Sequence, residues 1–577
     1  MKKTGAWLAT YALEQIGAKF TFGIPGVHTT ELYDELNNST KITPILVTHE
    51  GGGAFMADAI SRLSDSIGVL TVVPAAGLTH ASSGIGEAFL DGVPMLVICG
   101  GPRTDIEFKY QLHQMDMHKF MAGLTKATFL VQSHEEVIST LYAAYNVAMQ
   151  GEPGPVFVEI PANILLLTGD VAEIVAYRPP APVLPSVSAD IDAALQLLLT
   201  ARKPCLFAGW GSRDATEQLV RLAEWLQAPV TTTLQGISVF PGNHPLHAGF
   251  GFGASAVPAA QQAFADCDCL IAIGTRFAEI ATGSFGIAVP ENLIHIDINP
   301  QVFNANYPAK VTMAGDAAMV LNELLAALEQ RIPQRAANLA LQTQIKTDKQ
   351  AYRETWYAHD SDSRVNPARF FDGLRHTMED DGIVVIDDGN HTFLTAELMT
   401  FHQSKSVILP TDFNCMGYAV PAGIGAKLAH PQRSVQVIVG DGAFLMTCME
   451  IITAVSNQLG VVFYVFNDGE LSQIAQAQEI PYNRKPCTVL GKVNLRGVAM
   501  ATGAHYLLIQ TNDEIAAVIE SARQFSSQGQ PVIVDVSIDY SKRTAFTEGA
   551  VKTNFHRFSL LQKGRVLGRA LVRRITG

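Results

Sequence analysis

Two short groups, Gly440-Asp441-Gly442 and Asn467-Asp468, have residue types and spacing suited to chemistry. The apolar run Val435 to Val439 precedes the first and predicts a buried parallel strand. A helix-like segment, Phe444 to Val455, follows it. Asp441 therefore falls where a strand ends and a helix N-terminus opens, a position that suits phosphate and a hard cation. A second apolar run, Val461 to Phe466, delivers Asn467 and Asp468 to a similar edge. Oxygen-bearing side chains at two strand ends, with free backbone N–H groups, can hold Mg²⁺ against a diphosphate. For either Asp alone, a strand-end residue making turn hydrogen bonds is a reasonable reading.

Further groups recur along the chain. Ile42 to Thr48 reads as a strand, and His49-Glu50-Gly51-Gly52-Gly53-Ala54 opens a helix that runs to about Arg62. Phe22-Gly23-Ile24-Pro25-Gly26, Ala76-Gly77-Leu78-Thr79 and Asp91-Gly92-Val93-Pro94 are turn-rich loops beside apolar runs. Gly389-Asn390-His391 and Asn414-Cys415-Met416-Gly417 lie later in the chain. In this order the groups resemble the thiamine diphosphate enzymes of the acetolactate synthase and pyruvate oxidase family. The resemblance runs from near residue 20 to near residue 540. It implies three consecutive open α/β domains with mostly parallel sheets: a cofactor pyrimidine-binding domain, a central nucleotide-binding-like domain and a diphosphate-binding domain.

The resemblance also assigns roles. Asp441 and Asp468 would ligate Mg²⁺ through side-chain oxygens and Glu470 through its backbone carbonyl. Gly442 and Ala443 would offer N–H groups to phosphate, next to Gly440. Asp468 stands where the family has a second Asn; it stays an oxygen ligand and adds a charge. Glu50 would hydrogen-bond the aminopyrimidine ring and activate the cofactor, in apolar surroundings that should raise its pKa. Taken alone, Glu50 reads as an acid stabilising a helix start. The Asn414 carbonyl would take the pyrimidine amine and Met416 would bend the cofactor. Pro25, Gly26, Gly389, Asn390, His391 and Leu471 complete the implied cofactor contacts. In this family Glu50 and the Gly-Asp-Gly segment meet across a subunit interface, which implies a homodimer or homotetramer.

The resemblance implies a small carbonyl substrate, whose pocket would decide the reaction. His28, His80 and His113 sit in loops resembling cofactor-facing ones, and histidine is a natural proton shuttle near neutral pH. The plain alternative for each is a polar group satisfied in a loop. His80 stands where the acetolactate synthase pattern has Asn, and His113 where it has Gln. Two departures are larger. Ile280 replaces an Arg that helps receive the acceptor carboxylate and the flavin, and Ala477 replaces a Trp that shapes the acceptor pocket. The expected activity is acetolactate synthase-like: decarboxylation of pyruvate and carboligation. Rivals are a 2-hydroxyacyl-coenzyme A lyase or decarboxylase, a cyclic diketone hydrolase and, in a different class, an inactive structural partner subunit. Gly209, Gly211, Asp297 and Gly315-Asp316 form a candidate FAD or ADP site, with a plain structural role as the alternative.

The rest of the 577 residues bounds these readings. A net charge of −13 argues against general nucleic-acid binding. No apolar run is long and uncharged enough to span a membrane. The N-terminal stretch reads as an amphipathic helix leading into a strand from Lys19 to Phe22 rather than as a signal segment. Seven scattered cysteines form no disulfide framework, and Cys267-x-Cys269 lacks a second ligand pair, so the expected compartment is the cytoplasm. The domain boundaries fall at 1–178, 189–340 and 364–545. Arg178 to Pro182 forms a stiff linker, and a polar connector runs from Gln330 to Asp362. Residues 546–577 are a basic tail. Arg565, Arg569 and Arg573 recur on one helical face beside Leu560, Val566, Leu567 and Leu571. Such a tail most often packs by its apolar side; functional alternatives are a lid over a phosphate-rich substrate or a surface helix for anionic membranes.

Overall fold

A computed structural model describes residues 1–181, 187–361 and 363–576. Pro182, at the end of the expected linker, and Asp362, at the end of the expected connector, lie outside the described residues. Three six-stranded sheets dominate, and every pairing within them is parallel. Most inner strands are buried, largely apolar runs, as burial on both faces requires, whereas edge strands such as Thr43–Leu46 and Thr128–Leu130 are partly exposed. Val435–Gly440 and Val462–Phe466 are buried along almost their whole length.

The first and third sheets share one strand order. In the first, Thr43–Leu46 lies outside Phe20–Gly23, followed by Gly68–Val72, Met95–Gly101, Pro155–Pro161 and Thr128–Leu130. In the third the sequence is Val407–Ile408, Ile383–Ile386, Val435–Gly440, Val462–Phe466, Val532–Val536 and His505–Ile509. Numbered along the chain, both read 2-1-3-4-6-5. The central sheet reads 3-2-1-4-5-6, from His247–Phe250 through Val230–Thr232, Pro204–Ala208, Cys269–Ile273 and Leu293–Asp297 to Val311–Ala314. Open parallel sheets bind ligands beyond the carboxyl ends of strands where the order reverses. Those points fall at Gly23 to Gly26 and Val73 to Gly77 in the first sheet. They fall at Gly209 to Gly211 and Gly274 in the second, and at Asp387 to Gly389 and Gly440 to Gly442 in the third.

The first and third units pack on each other through the helices Glu50–Leu63 and Ala419–Ala429. Their interface holds a buried charged node. Arg62 Nε donates to Asp58 at 2.7 Å and Nη2 to Asp91 at 2.9 Å, while Tyr418 donates to Asp58 at 2.7 Å. Asp91 also accepts from the Thr411 hydroxyl at 2.6 Å, which ties the loop before Asn414 to the first unit.

Two local readings change. The segment after Gly442 is not one helix: Asp441–Thr447 and Ile451–Ser456 are separated by a tight turn at Cys448–Glu450. The turn frees Glu450 to accept from the Thr48 and His49 N–H groups at 2.9 and 2.8 Å, so the break serves the contact between units. The basic tail is helical, Leu560–Thr576, yet does not pack by its apolar side. Leu560, Leu567 and Leu571 are exposed, and Ala570 is buried. Arg573 anchors the helix instead, donating to the Pro481 carbonyl at 2.7 Å and lying 4.8 Å over the Tyr482 ring. No helix of the described residues is long and apolar enough to cross a membrane.

Candidate functional site

The third sheet's reversal point opens into a cleft of about 210 Å³. Gly389, Asn390, His391, Asn414, Met416, Gly440, Asp441, Gly442, Ala443, Asp468, Glu470 and Leu471 all line it. Gly440 is extended and Asp441 is the first helical residue, so its carboxylate is held at the strand end. Gly442 sits close to Leu471: a Cβ there would lie 2.4 Å from the end of that side chain, which would have to move aside. Asn467 turns away: its side-chain amide donates to Asp535 at 3.0 Å.

Electrostatics define what this cleft lacks. Asp441 is buried and accepts from the Gly442 and Gly469 N–H groups, each at 2.8 Å. Burial, with the Asp468 charge adding to it, pushes its carboxyl up to about 6. Asp468 is likewise raised, mainly by burial, despite a hydrogen bond from Ser472. Burial also lifts neighbouring Asp388 to about 6. Two partly desolvated carboxylates with raised pKa values form an acceptor-only pair that a divalent cation satisfies. The Glu470 side chain is occupied by Lys485 at 2.7 Å, which leaves its backbone oxygen as its contribution to the cleft.

Three more polar atoms in the cleft are buried and unpartnered: His391 Nε2, Gln473 Oε1 and the Tyr540 hydroxyl. Burial drives His391 down to about 3, so its ring is neutral. Orphaned polar groups cost free energy unless something satisfies them. The donor set and these orphans fit a bound diphosphate with its metal. Gln473 and Tyr540 escaped sequence reasoning; Tyr540 lies beyond the last strand, Val532–Val536, in a segment without glycine or a metal-ligand pattern.

The remaining candidates form a second group on the first unit, and none of them lines this cleft within the same chain. Glu50 is buried at the start of its helix, and its carboxylate meets His80 Nδ1 at 3.0 Å. His49 caps the helix by accepting from the Gly51 N–H at 3.1 Å, and its ring stacks on His80 at 4.8 Å. Among the described residues, ligating atoms of His49, Glu50 and His80 lie within 4.8 Å of one another. The stacked rings run side by side, so their in-plane lone pairs do not converge as a tetrahedral metal needs. Gly26 and Gly77 flank Val73, and a Cβ at Gly77 would lie 3.1 Å from Glu50. Pro25 is exposed beside them. His28 and His113 meet edge to face at 5.5 Å. Burial, then the nearby His113, lowers the His28 pKa, and His28 Nδ1 is unpartnered.

The central reversal point holds a cavity of about 270 Å³ lined by Trp210, Gly211, Gly274, Asp297 and Asp316, and Ile280 lies on its wall. Gly209 and Gly315 do not line it. Burial pushes Asp297 up to about 6, and Asp316 caps a helix by accepting from the Met319 N–H at 3.0 Å. Arg276 is held between Glu152 at 3.1 Å and Asp412 at 2.6 Å. Ala477 is exposed on the helix Ser472–Tyr482 that leads out of the cleft.

Two sheets of one topology, a third of dinucleotide-binding order and a dicarboxylate cleft at a strand reversal define a cofactor-dependent α/β enzyme architecture. Family models agree in detail. The N-terminal thiamine pyrophosphate binding domain matches residues 3–120, the central domain of the same enzymes 191–324, and the C-terminal binding domain 387–536. The chain belongs to the thiamine pyrophosphate enzyme family. It is 32% identical to a probable acetolactate synthase large subunit of Methanocaldococcus jannaschii, over 93% of this chain and 92% of that one. It is 29% identical to the acetolactate synthase large subunit of Haemophilus influenzae, over 94% and 96%. Against isozyme 3 of Escherichia coli the identity is 27%, over 93% and 95%.

Proposed function

We propose that this chain is a cytoplasmic, Mg²⁺- and thiamine diphosphate-dependent enzyme that makes or breaks a carbon–carbon bond beside a carbonyl, in the manner of acetolactate synthase. The observation that carries this reading is the cleft itself, with its uncompensated Asp441–Asp468 pair and three orphaned polar atoms. Bound there, thiamine diphosphate would supply a carbon nucleophile for a substrate carbonyl and a sink for the electron pair of the broken bond. Asp441, Asp468 and the Glu470 carbonyl hold the metal. Ala443 offers its N–H to phosphate, and so does Gly442 once released from Asp441. Asn414 and Met416 orient the rings. Glu50 holds the activating proton, and His80, hydrogen-bonded to it, keeps that carboxylate in place. His28 and His113 stand at the substrate side as proton carriers.

Glu50 and the cleft do not meet within one chain, which supports a homodimer or homotetramer with sites shared between subunits. Free cysteines throughout suit a reducing cytoplasm. The central cavity sits at the sheet's reversal point; we read it as a site for FAD or ADP, where Asp297 on its wall would take a ribose hydroxyl.

Ile280 and Ala477 favour a second reading of the substrate. An apolar side chain cannot pair with an acceptor carboxylate. An acyl-coenzyme A or a cyclic diketone would not require that pair. Mass spectrometry of products from purified protein with cofactor, Mg²⁺ and pyruvate, alone and with aldehydes, keto acids, acyl-coenzyme A esters and diketones, separates the readings. Acetolactate from pyruvate alone is the expected result. Turnover of a coenzyme A ester or diketone, with none of pyruvate, replaces it by the second reading. No turnover of anything, with cofactor bound, points to a silent partner subunit.

A further inference from the structure

A separate cavity of about 120 Å³ lies between the central unit and the third. Its walls come from the strand His247–Phe250, the connector helix Leu339–Tyr357 and the end of the helix Asn390–Leu398. Nothing in the cofactor chemistry uses it. Its polar lining carries two cations, Lys349 and Arg353, and one carboxylate, Glu397. Lys349 enters it without a carboxylate partner: its ammonium donates to His247 Nδ1 at 3.1 Å, with the Gly242 carbonyl at 3.5 Å. A lysine donating to Nδ1 leaves the proton of a neutral imidazole on Nε2. His247 is only 9% exposed, and that Nε2 has no partner. Burial, then the charge on Lys349, keeps the ring neutral. Arg353 donates through Nη2 to the Leu398 carbonyl at 2.6 Å and to Asp372 at 2.9 Å, while its buried Nη1 is unpartnered.

The acceptors are spoken for. Glu397 takes the Tyr352 hydroxyl at 2.5 Å and the Phe546 and Ala545 N–H groups at 2.8 and 3.1 Å. Among the described residues, the buried side-chain atoms on this lining that lack a partner are His247 Nε2 and Arg353 Nη1, both donors, and Lys349 beside them is a second cation. Water satisfies donors, but it does not offset a buried ammonium's charge. Burial alone pushes Lys349 down to about 8, the mark of a cation without its counter-charge.

We propose that this cavity is a binding site for a small oxyanion of phosphate size, held by Lys349, His247 Nε2 and Arg353 Nη1. The helix Asn390–Leu398 begins at the cofactor cleft and ends on this cavity, so an anion here would brace one wall of the active site.

The test uses the holoenzyme, with cofactor and Mg²⁺ saturating so that the diphosphate cleft is filled. Thermal denaturation and calorimetric titration are run with inorganic phosphate and, in a second arm, malonate, at ionic strength fixed with chloride. A saturable stabilisation by phosphate is expected, stronger than that by malonate. Lys349→Met should weaken it about tenfold or more, the loss expected for one charge-assisted hydrogen bond. His247→Phe should weaken it too, whereas Lys349→Arg should retain most of it. Preference for malonate would overturn the phosphate assignment. The whole proposal falls if wild type shows no saturable response, or if Lys349→Met and His247→Phe, both retaining cofactor, respond as wild type does.

Discussion

Asp441→Asn should make the cofactor-free protein more stable while destroying its ability to hold the metal. The Asp441 carboxyl moves from 3.8 to about 6 on folding. A group raised in the folded state contributes stability that is present below the unfolded pKa and is lost as pH rises through the folded one. At pH 7.5 the full loss applies, about 2.2 units or roughly 3 kcal/mol at 1.36 kcal/mol per unit. Asparagine removes that loss. It keeps one amide oxygen for either the Gly442 or the Gly469 N–H and forfeits the other bond, at a cost of about 1–2 kcal/mol. The net gain is about 1–2 kcal/mol at pH 7.5. Near pH 5 the wild-type carboxyl is already largely protonated, the relief halves and the variant should be about neutral. Calorimetric scans of both proteins in chelator, without cofactor, at the two pH values read this difference. Adding cofactor and Mg²⁺ should then raise the wild-type transition and leave that of Asp441→Asn in place. A variant less stable than wild type at pH 7.5, by more than at pH 5, would refute the argument, since the carboxylate would then be satisfied by the protein alone.

Other consequences follow from contacts described above. Glu50→Gln should lower turnover by about 10²–10⁴-fold with cofactor binding retained, read by steady-state rates beside equilibrium dialysis; unchanged turnover would remove Glu50 from the mechanism. Arg62→Met strips the counter-charge from buried Asp58 and Asp91 and should cost about 3–5 kcal/mol, seen as a lowered melting temperature and poor soluble yield. A stop codon after Phe558 should leave the melting temperature almost unchanged, because the helix Leu560–Thr576 buries little apolar surface; a large drop would mean that its exposed leucines are covered in the assembled enzyme.

The parts of the fold that depend on local pattern were legible. Apolar runs such as Val435 to Val439 leave no alternative to a strand buried on both faces, and glycine clusters mark where those strands meet helices. The placement of residues at strand ends was legible for the same reason: Asp441 and Asp468 are fixed by the strands that carry them. What escaped depends on contacts distant in sequence. Glu450 looks like any helical acid, yet its carboxylate holds the Thr48 and His49 N–H groups from a loop 400 residues away. Tyr540 carries no motif and reaches the cleft only because the sheet brings its loop beside Asp468. The tail misled because amphipathic periodicity says which side chains share a face, not whether anything covers that face.

The separation of Glu50 from the cleft has a physical logic. The first and third sheets have one strand order and open their reversal points through equivalent loops, yet they pack within the chain through the helices Glu50–Leu63 and Ala419–Ala429. Small residues make that packing close. A Cβ added at Gly425 would lie 2.6 Å from the Met56 carbonyl, and one at Gly52 would lie 2.6 Å from Glu450. Intrachain packing therefore occupies the flank of the Glu50 helix, while the Asp441 cleft carries unsatisfied polar atoms. On the proposed function these are two half-sites: the Glu50 carboxyl would meet a cofactor ring, and the acidic cleft would take a metal. On that reading a second copy of the chain, turned end for end, would satisfy both halves with one type of contact.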